Sequence, residues 1–456
     1  MRTTHRVRIW AISKYKGKRK TSYRVRWVVG DQPPFAESFA TSALAESFRA
    51  KLVAAASNGE AFDLDSGLPV SMCRTALDTK PWLDFACSYM DARWSDWSPN
   101  HRRSTARSLM NVTLAMLTTN AGRPDDKVLR KAILTTLNKT TRDSTMPTSV
   151  ENAVAWTKRN TQDVGALAEP EVLREVLQSL ERNLDGKRAA TDTVRLRRLA
   201  LQGAIDYAIE CKLLESNPLH EVKTRKRKQT IKQVDPRAVV NPTQARTLLA
   251  AVGEQGKQGP PLVAFFGCIY YAAMRPEEVC SLRKHNLSMP ESGWGEIYLE
   301  RSQPEVTDQW TDSRKASEER SLKHRDDGEV RPVPCPPVLT ELLHDHLTKY
   351  GTARDGRLFR GARDGGRVGS TTYGRVWAKA REAAFTPEVA AGPLGKRPYD
   401  LRHAAVSTWL NGGVEPTRVA KWAGHSLAVL LNVYAKCLDG GEKAARDRVE
   451  RTLQGW

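Results

Sequence analysis

The chain has 456 residues, with 72 Lys plus Arg against 52 Asp plus Glu, a net charge of +20 and a pI near 9.7. That length accommodates two or three domains with their own cores, and the charge implies a polyanionic partner, either nucleic acid or an anionic membrane face. There is no run of 18 apolar residues to span a bilayer, and the amino-terminal MRTTHRVRIW lacks the apolar segment of a secretory signal. The seven cysteines (Cys73, Cys87, Cys211, Cys268, Cys280, Cys335 and Cys437) are scattered and form no CxxC pair. Neither a zinc site nor a disulfide scaffold is expected, and a reducing cytoplasm fits. Nucleic acid is the favoured partner, with no metal or cofactor.

Residues 1–30 carry ten Lys or Arg and no acid. Alternation at Val7 and Ile9, then at Val25, Trp27 and Val29, predicts two strands joined by a KGKRK turn. FAESFAT supplies a third strand, and SALAESFRAKLVAAAS a helix that covers the sheet. The open face and its turn carry Lys16, Lys18, Arg19, Lys20, Arg24 and Arg26, suited to a DNA groove; the alternative is a solvated basic face. From about residue 75 to 221 the pattern is helical. Ser98–Pro99 is a helix-start signal, and TDTVRLRRLALQGAIDYAIECKLL places Arg195, Arg197 and Arg198 in its first turns. KTRKRKQTIK (223–232) has six basic residues in ten, including Lys223, Arg225, Lys226, Arg227 and Lys228. It reads as an exposed linker that could lie along a phosphate backbone. The domains are therefore 1–60, 75–221, a basic linker at 222–240, and 241–456.

In the last domain, Arg275 precedes Pro276 in YYAAMRPEEVCSLR. A pre-proline residue avoids helical geometry and proline starts a helix, so Arg275 sits at a helix mouth that favours phosphate. Glu278 is placed to orient it; the competing reading is a surface ion pair. GEIYLERS (295–302) reads as a strand, and RSLKHRDDGEVRPVPCP (320–336) as a hairpin turning at Asp326–Gly328. Lys323 lies near its tip, with Lys315 a rival. In PYDLRHAAVSTWLNGG, Asp400 can cap a helix ending at Gly412–Gly413, with Arg402 in its first turn. EPTRVAKWAGH is a short helix stopped by Gly424, followed by His425, and LAVLLNVYAKCL is an apolar helical run presenting Tyr434.

Arg275, Lys323, Arg402, His425 and Tyr434 occur in an order and spacing that resemble the tyrosine recombinases, or phage-type integrases. RPEEVCSL resembles the family's first-arginine box and LKHRDDGEVRPVP its lysine hairpin. The run from DLRH through GHS to Tyr434, nine positions beyond His425, is the most specific part. The resemblance covers the whole chain in layout and 270–436 in residues. It implies a multidomain, mainly α fold with an amino-terminal arm-binding β-sheet plus helix, a helical core-binding domain, and a mainly helical catalytic domain holding a small antiparallel hairpin. It implies site-specific DNA integration or excision through a 3′-phosphotyrosyl intermediate. Two arginines would clamp the phosphate oxygens, Lys323 would protonate the leaving 5′-oxygen, and Tyr434 would attack. It further implies double-stranded DNA with core-type and arm-type sites, a homotetramer, accessory DNA-bending or directionality proteins, and a cytoplasmic, DNA-associated protein of a bacterial cell, phage or mobile element. The segment 439–456 would reach a neighbouring protomer, hinged at Gly440–Gly441 with Trp456 as anchor.

The sequence departs from that pattern where the family has a histidine three positions before the second arginine; here stands Tyr399. A phenol can support a phosphate by hydrogen bonding but carries no positive charge near neutral pH; the alternative is a tyrosine packed under the helix. His403 falls on a different helix face from Arg402 and reads as structural. A straight helix over 426–434 would separate Tyr434 from His425 by roughly 12–14 Å along its axis. The helix would then have to break, with Asn432 the candidate, or deliver Tyr434 to a neighbouring subunit; delivery in cis is favoured. Two rival functions remain: a type IB topoisomerase, which reseals the same strand, and a non-catalytic DNA-binding protein on this fold.

Overall fold

A computed structural model of the chain describes residues 2–16, 21–72, 80–222, 233–323, 326, 328–362, 365–434 and 441–454. It divides into two compact units, Met1–Thr224 and Arg225–Trp456, and is mainly helical with small antiparallel sheets.

In the first unit the long strand Thr21–Val29 is the spine of a sheet. One edge pairs with Val7–Ile9 and Ser13–Lys16 in turn, and the other with Phe35–Phe39. Strand alternation buries Val25, Trp27 and Val29 beneath the helix Ser42–Ser57, against Ala45, Leu52 and Ala55. Thr41 caps that helix, its hydroxyl accepting from the Leu44 N–H at 3.3 Å. The rest of the unit is helical: Trp82–Ala92, Pro99–Ala115, Asp126–Leu137, Thr148–Arg159, Pro170–Leu180 and Thr191–Glu210. Ser98 caps the second of these, with Pro99 in its first turn. Arg197 donates to the Leu180 and Arg182 carbonyls at 3.0 and 2.7 Å, so this basic residue ties two helices together.

The second unit packs Phe265, Phe266, Leu339, Trp377 and Leu401 into one core, each full burial worth about 1.5–3 kcal/mol. These come from the helices Val263–Tyr271, Pro337–Tyr350, Ser370–Ala384 and Asp400–Asn411. A three-stranded sheet runs Arg331–Cys335, Gly295–Leu299, Leu287–Ser288.

The expected hairpin is built differently. Arg320–Ser321 pairs with Arg301–Ser302, and Arg331–Cys335 pairs with Gly295–Leu299; the two presumed arms do not pair with each other. Both lie along the same side of 295–302, and between Ser321 and Arg331 the chain leaves the ladder and returns. Proline explains why. Pro332 and Pro334 have no N–H to donate, so their strand has one edge fit for pairing and occupies the edge of its sheet. Part of the anticipated turn, residue 327, lies outside the described residues.

Candidate active site

Arg275 has extended backbone (φ −75°, ψ 147°) and precedes the helix Pro276–Ser281, as its pre-proline position dictates. Its side chain is buried. Nη1 donates to Glu278 Oε1 at 2.7 Å and Nη2 to the Gly424 carbonyl at 2.9 Å, while the Arg275 N–H donates to Glu278 Oε2 at 2.8 Å. The same carboxylate receives a fork from Arg331, at 3.0 and 2.7 Å. Glu278 is thus held between two guanidiniums with 1% of its surface exposed. Burial opposes its charge, but Arg331, Arg275 and Arg402 win and hold the carboxyl at about 2.

Arg402 lies on the first turn of the helix Asp400–Asn411 and is wholly buried. It donates to the carbonyls of Ala273 and Ala423 and, at 2.8 Å, to His425 Nε2. A guanidinium can only donate, so Nε2 is the acceptor and the ring proton of His425 resides on Nδ1. That Nδ1, like Arg402 Nε and Arg331 Nε, is buried without a hydrogen-bond partner among the described residues. Burial, followed by Arg402, Arg275 and Arg331, pushes His425 down to about 3, so its ring is neutral. Arg402 has no carboxylate partner among the described residues; burial and then Arg275 lower its own proton affinity.

The turn that receives these arginines is set by Gly424, which ends the helix Pro416–Ala423 in the left-handed region (φ 65°, ψ 49°). The His425 N–H closes back on the Ala420 carbonyl at 2.9 Å. A Cβ on Gly424 would fall on Arg331 Nη1.

Tyr434 ends the helix Leu427–Tyr434, is 1% exposed, and packs with Leu430, one turn earlier, into a cluster with Ala405, Val419 and Ala423. The helix does not break at Asn432, yet the rings of Tyr434 and His425 stack with centroids 6.0 Å apart. Side chains on a helix lean toward its amino terminus, so the phenol reaches back over the preceding turns. His425 precedes the helix, in the turn shaped by Gly424. The expected separation along the axis is therefore no obstacle within one chain.

His403 is also part of the cluster. Its Nδ1 lies 2.9 Å from the Tyr434 hydroxyl, and its ring meets Tyr399 edge-on at 5.1 Å. Successive helix positions differ by about 100°, so Arg402 faces the Ala273 and Ala423 carbonyls while His403 faces the two tyrosines. Burial pushes His403 down to about 4, against the pull of Asp400. Tyr399, half-buried at the N-cap position, makes no hydrogen bond through its hydroxyl to a described residue. Asp400 is the first helical residue and not the cap; its carboxylate reaches back to the Arg397 N–H at 2.8 Å and to the Arg397 guanidinium.

Lys323 is exposed, and no hydrogen bond or ion pair joins it to this cluster; its rival Lys315 is exposed too. Arg24 and Arg26 stand exposed on the open face of the amino-terminal sheet, Arg26 over the Trp10 ring at 5.4 Å. Lys16 ends the strand Ser13–Lys16. Lys18, Arg19, Lys20, Lys223, Arg225, Lys226, Arg227 and Lys228 lie outside the described residues, as do Cys73, Cys437, Gly440 and Trp456. Among the described residues, no group of three or more His, Cys, Asp or Glu is placed to hold a metal, and no helix is long and apolar enough to cross a membrane.

Arg331 and His403 are the two members of the cluster that sequence reasoning missed. Arg331 had a signal, since strand alternation puts it on the same face as Val333 and Cys335, both wholly buried.

No protein-family model and no curated protein matches the sequence. Among solved structures, the chain is similar to the Tn1549 transposon integrase in complex with transposon right-end DNA (16% identity, 71% of this chain and 98% of that one, TM-score 0.47). It is also similar to the XerH site-specific recombinase bound to difH substrate (13%, 81% and 94%, 0.45) and to a lambda integrase dimer bound to a COC′ core site (12%, 93% and 94%, 0.47). These likenesses are distant. The chemistry of the site follows from its own atoms.

Proposed function

We propose that this chain is a site-specific DNA recombinase that breaks and rejoins strands through a 3′-phosphotyrosyl bond at Tyr434. One observation carries the reading: two buried guanidiniums, Arg275 and Arg331, share the carboxylate of Glu278, a third, Arg402, is buried with no carboxylate partner among the described residues, and the buried phenol of Tyr434 stacks on His425, which Arg402 holds. Buried charge needs a counter-charge. Arg402 has none, and a phosphodiester entering the cluster supplies it. Arg275 and Arg402 then bind the non-bridging oxygens and stabilise the charge that grows as a fifth oxygen approaches phosphorus. The His425 Nδ1–H is a further donor, Tyr399 supports the same group, and Glu278 fixes Arg275 without touching DNA. Lys323, brought over the phosphate by the segment that carries it, protonates the departing 5′-oxygen.

In this reading residues 1–60 bind arm-type DNA through the face bearing Arg24 and Arg26, 75–221 bind core-type DNA, 222–240 link, and 241–456 catalyse. The enzyme acts as a tetramer on two duplexes in the cytoplasm, Tyr434 acting in cis, with accessory DNA-bending or directionality proteins. Trapping the protein on nicked suicide duplexes and mapping the DNA-linked residue tests this directly. A covalent adduct at Tyr434, abolished by Tyr434→Phe, is expected; an adduct elsewhere, or none, refutes it. Strand transfer between two labelled duplexes separates recombination from topoisomerase-like resealing.

A further inference from the structure

The phenol of Tyr434 must lose its proton as it attacks, and the cluster offers Tyr399, His425 and His403 as candidate acceptors. Tyr399 is itself a phenol and is no base near neutral pH. His425 has its Nε2 lone pair engaged by Arg402 and its proton on Nδ1, so neither nitrogen can accept. His403 Nδ1 lies at hydrogen-bond distance from the reacting oxygen, 2.9 Å.

The geometry points to His403 as the general base of strand cleavage, a catalytic residue that takes the proton of Tyr434. This assignment rests on the strand-cleaving reading above and deepens it. In the forward step the Tyr434 Oη–H proton passes to His403 Nδ1 as the Oη–P bond forms and the P–O5′ bond breaks, the leaving oxygen taking its proton from Lys323. In the reverse step a 5′-hydroxyl attacks phosphorus and gives its proton to the now neutral Lys323 amine, the P–Oη bond breaks, and His403 returns the proton to Oη. Atoms and charge balance without a metal or co-reactant. The base is thereby supplied from the residue after Arg402, on the helix face toward Tyr434, while the phenol of Tyr399 occupies the position three before it. The groups facing His403 are Asp400, Arg397, Arg402 and Tyr399 from its own helix and the turn before it, Tyr434 from the helix Leu427–Tyr434, and His425 from the Gly424 turn. Burial and the arginines outweigh Asp400, so the ring is neutral and able to accept at neutral pH.

The test uses the full chain and nicked suicide duplexes retained on the wild-type protein from a randomised pool, with adduct formation followed in single-turnover, acid-quenched reactions. His403→Gln should slow adduct formation by about 100-fold or more, the usual size of a general-base contribution. Its rate should climb with pH as hydroxide takes over, where the wild type is flat near neutrality. His403→Ala should regain rate on addition of imidazole. A duplex with sulfur at the bridging 5′ position, whose leaving group needs no proton, should rescue Lys323→Ala but not His403→Gln. A His403→Gln rate within threefold of wild type with an unchanged pH profile overturns the assignment. So does a slow variant with neither a climbing profile nor imidazole rescue, because His403 would then be only packing. If wild type forms no Tyr434-dependent adduct, the strand-cleaving reading falls and the assignment with it; a normal adduct with indifferent His403 variants removes the assignment alone.

Discussion

Arg24 and Arg26 stand in water on the open face of the amino-terminal sheet, alternating with buried Val25 and Trp27. Arg275, Arg331 and Arg402 are buried in the second unit around one carboxylate. The first pair is solvated, screened by salt and interchangeable with other cations. The second set has fixed partners for its terminal Nη groups: Glu278, the Gly424, Ala273 and Ala423 carbonyls, and His425. One residue type thus serves as diffuse charge in one region and as fixed geometry in the other, and substitution separates the two uses.

The largest effect falls on the buried set. Arg331→Met removes one fork from Glu278 and should cost about 3–5 kcal/mol of stability, the range for breaking a buried pair, read as a lowered urea midpoint of the full chain. A loss below 1 kcal/mol would mean that Arg275 alone satisfies Glu278. Gly424→Ala comes next. It combines a left-handed φ with a Cβ placed on Arg331 Nη1, and strained backbone alone costs about 1–3 kcal/mol. Thermal melting should show a loss of at least that size, and adduct formation should fall with it because Arg275 leans on the Gly424 carbonyl.

Acidification tests the same set without mutation. His403 and His425 are held at about 4 and about 3 in the folded chain against 6.5 unfolded, and Glu278 at about 2 against 4.5. Between each pair of values the unfolded chain binds more protons, so stability rises with pH there. The histidine contribution is whole above about pH 6.5 and lost as pH falls toward 4 and 3. The Glu278 contribution is whole above 4.5 and lost toward 2. Melting temperatures from pH 7 to 4 should therefore decline, and less steeply in His403→Phe. The smallest effect belongs to the exposed pair: Arg24→Gln and Arg26→Gln should change stability by less than about 0.5 kcal/mol. Each should lower the salt slope of DNA retention by about one if it contacts a phosphate.

This contrast also explains what was legible in the sequence. Periodicity reports burial, so the strand through Val25, Trp27 and Val29 and the helix presenting Tyr434 could be read directly. Gly424 and the prolines marked where elements end. Arg275, Arg402, His425 and Tyr434 were legible as a spaced set, and the structure brings them together. The rest depended on contacts between segments far apart in the chain. Arg331 meets Glu278 across 53 positions and His403 meets Tyr434 across 31, distances that no local pattern encodes. The hairpin was misjudged because its strand finds its partner at 295–299, with prolines closing the other edge. The straight helix at 427–434 is compatible with the site because the backward lean of the side chain offsets the axial rise.

The interruption in the 320–335 strand has a consequence for chain statistics. The segment carrying Lys323 leaves the ladder opposite Arg301 and rejoins it opposite Leu299, two positions away. Its ends are therefore pinned close together whatever its length. Doubling such a segment costs only about 0.6 kcal/mol of closure entropy, and neither neighbouring register has to shift. Insertions here would lengthen the reach of Lys323 cheaply, while a single methyl added at Gly424 falls on the Arg331 guanidinium.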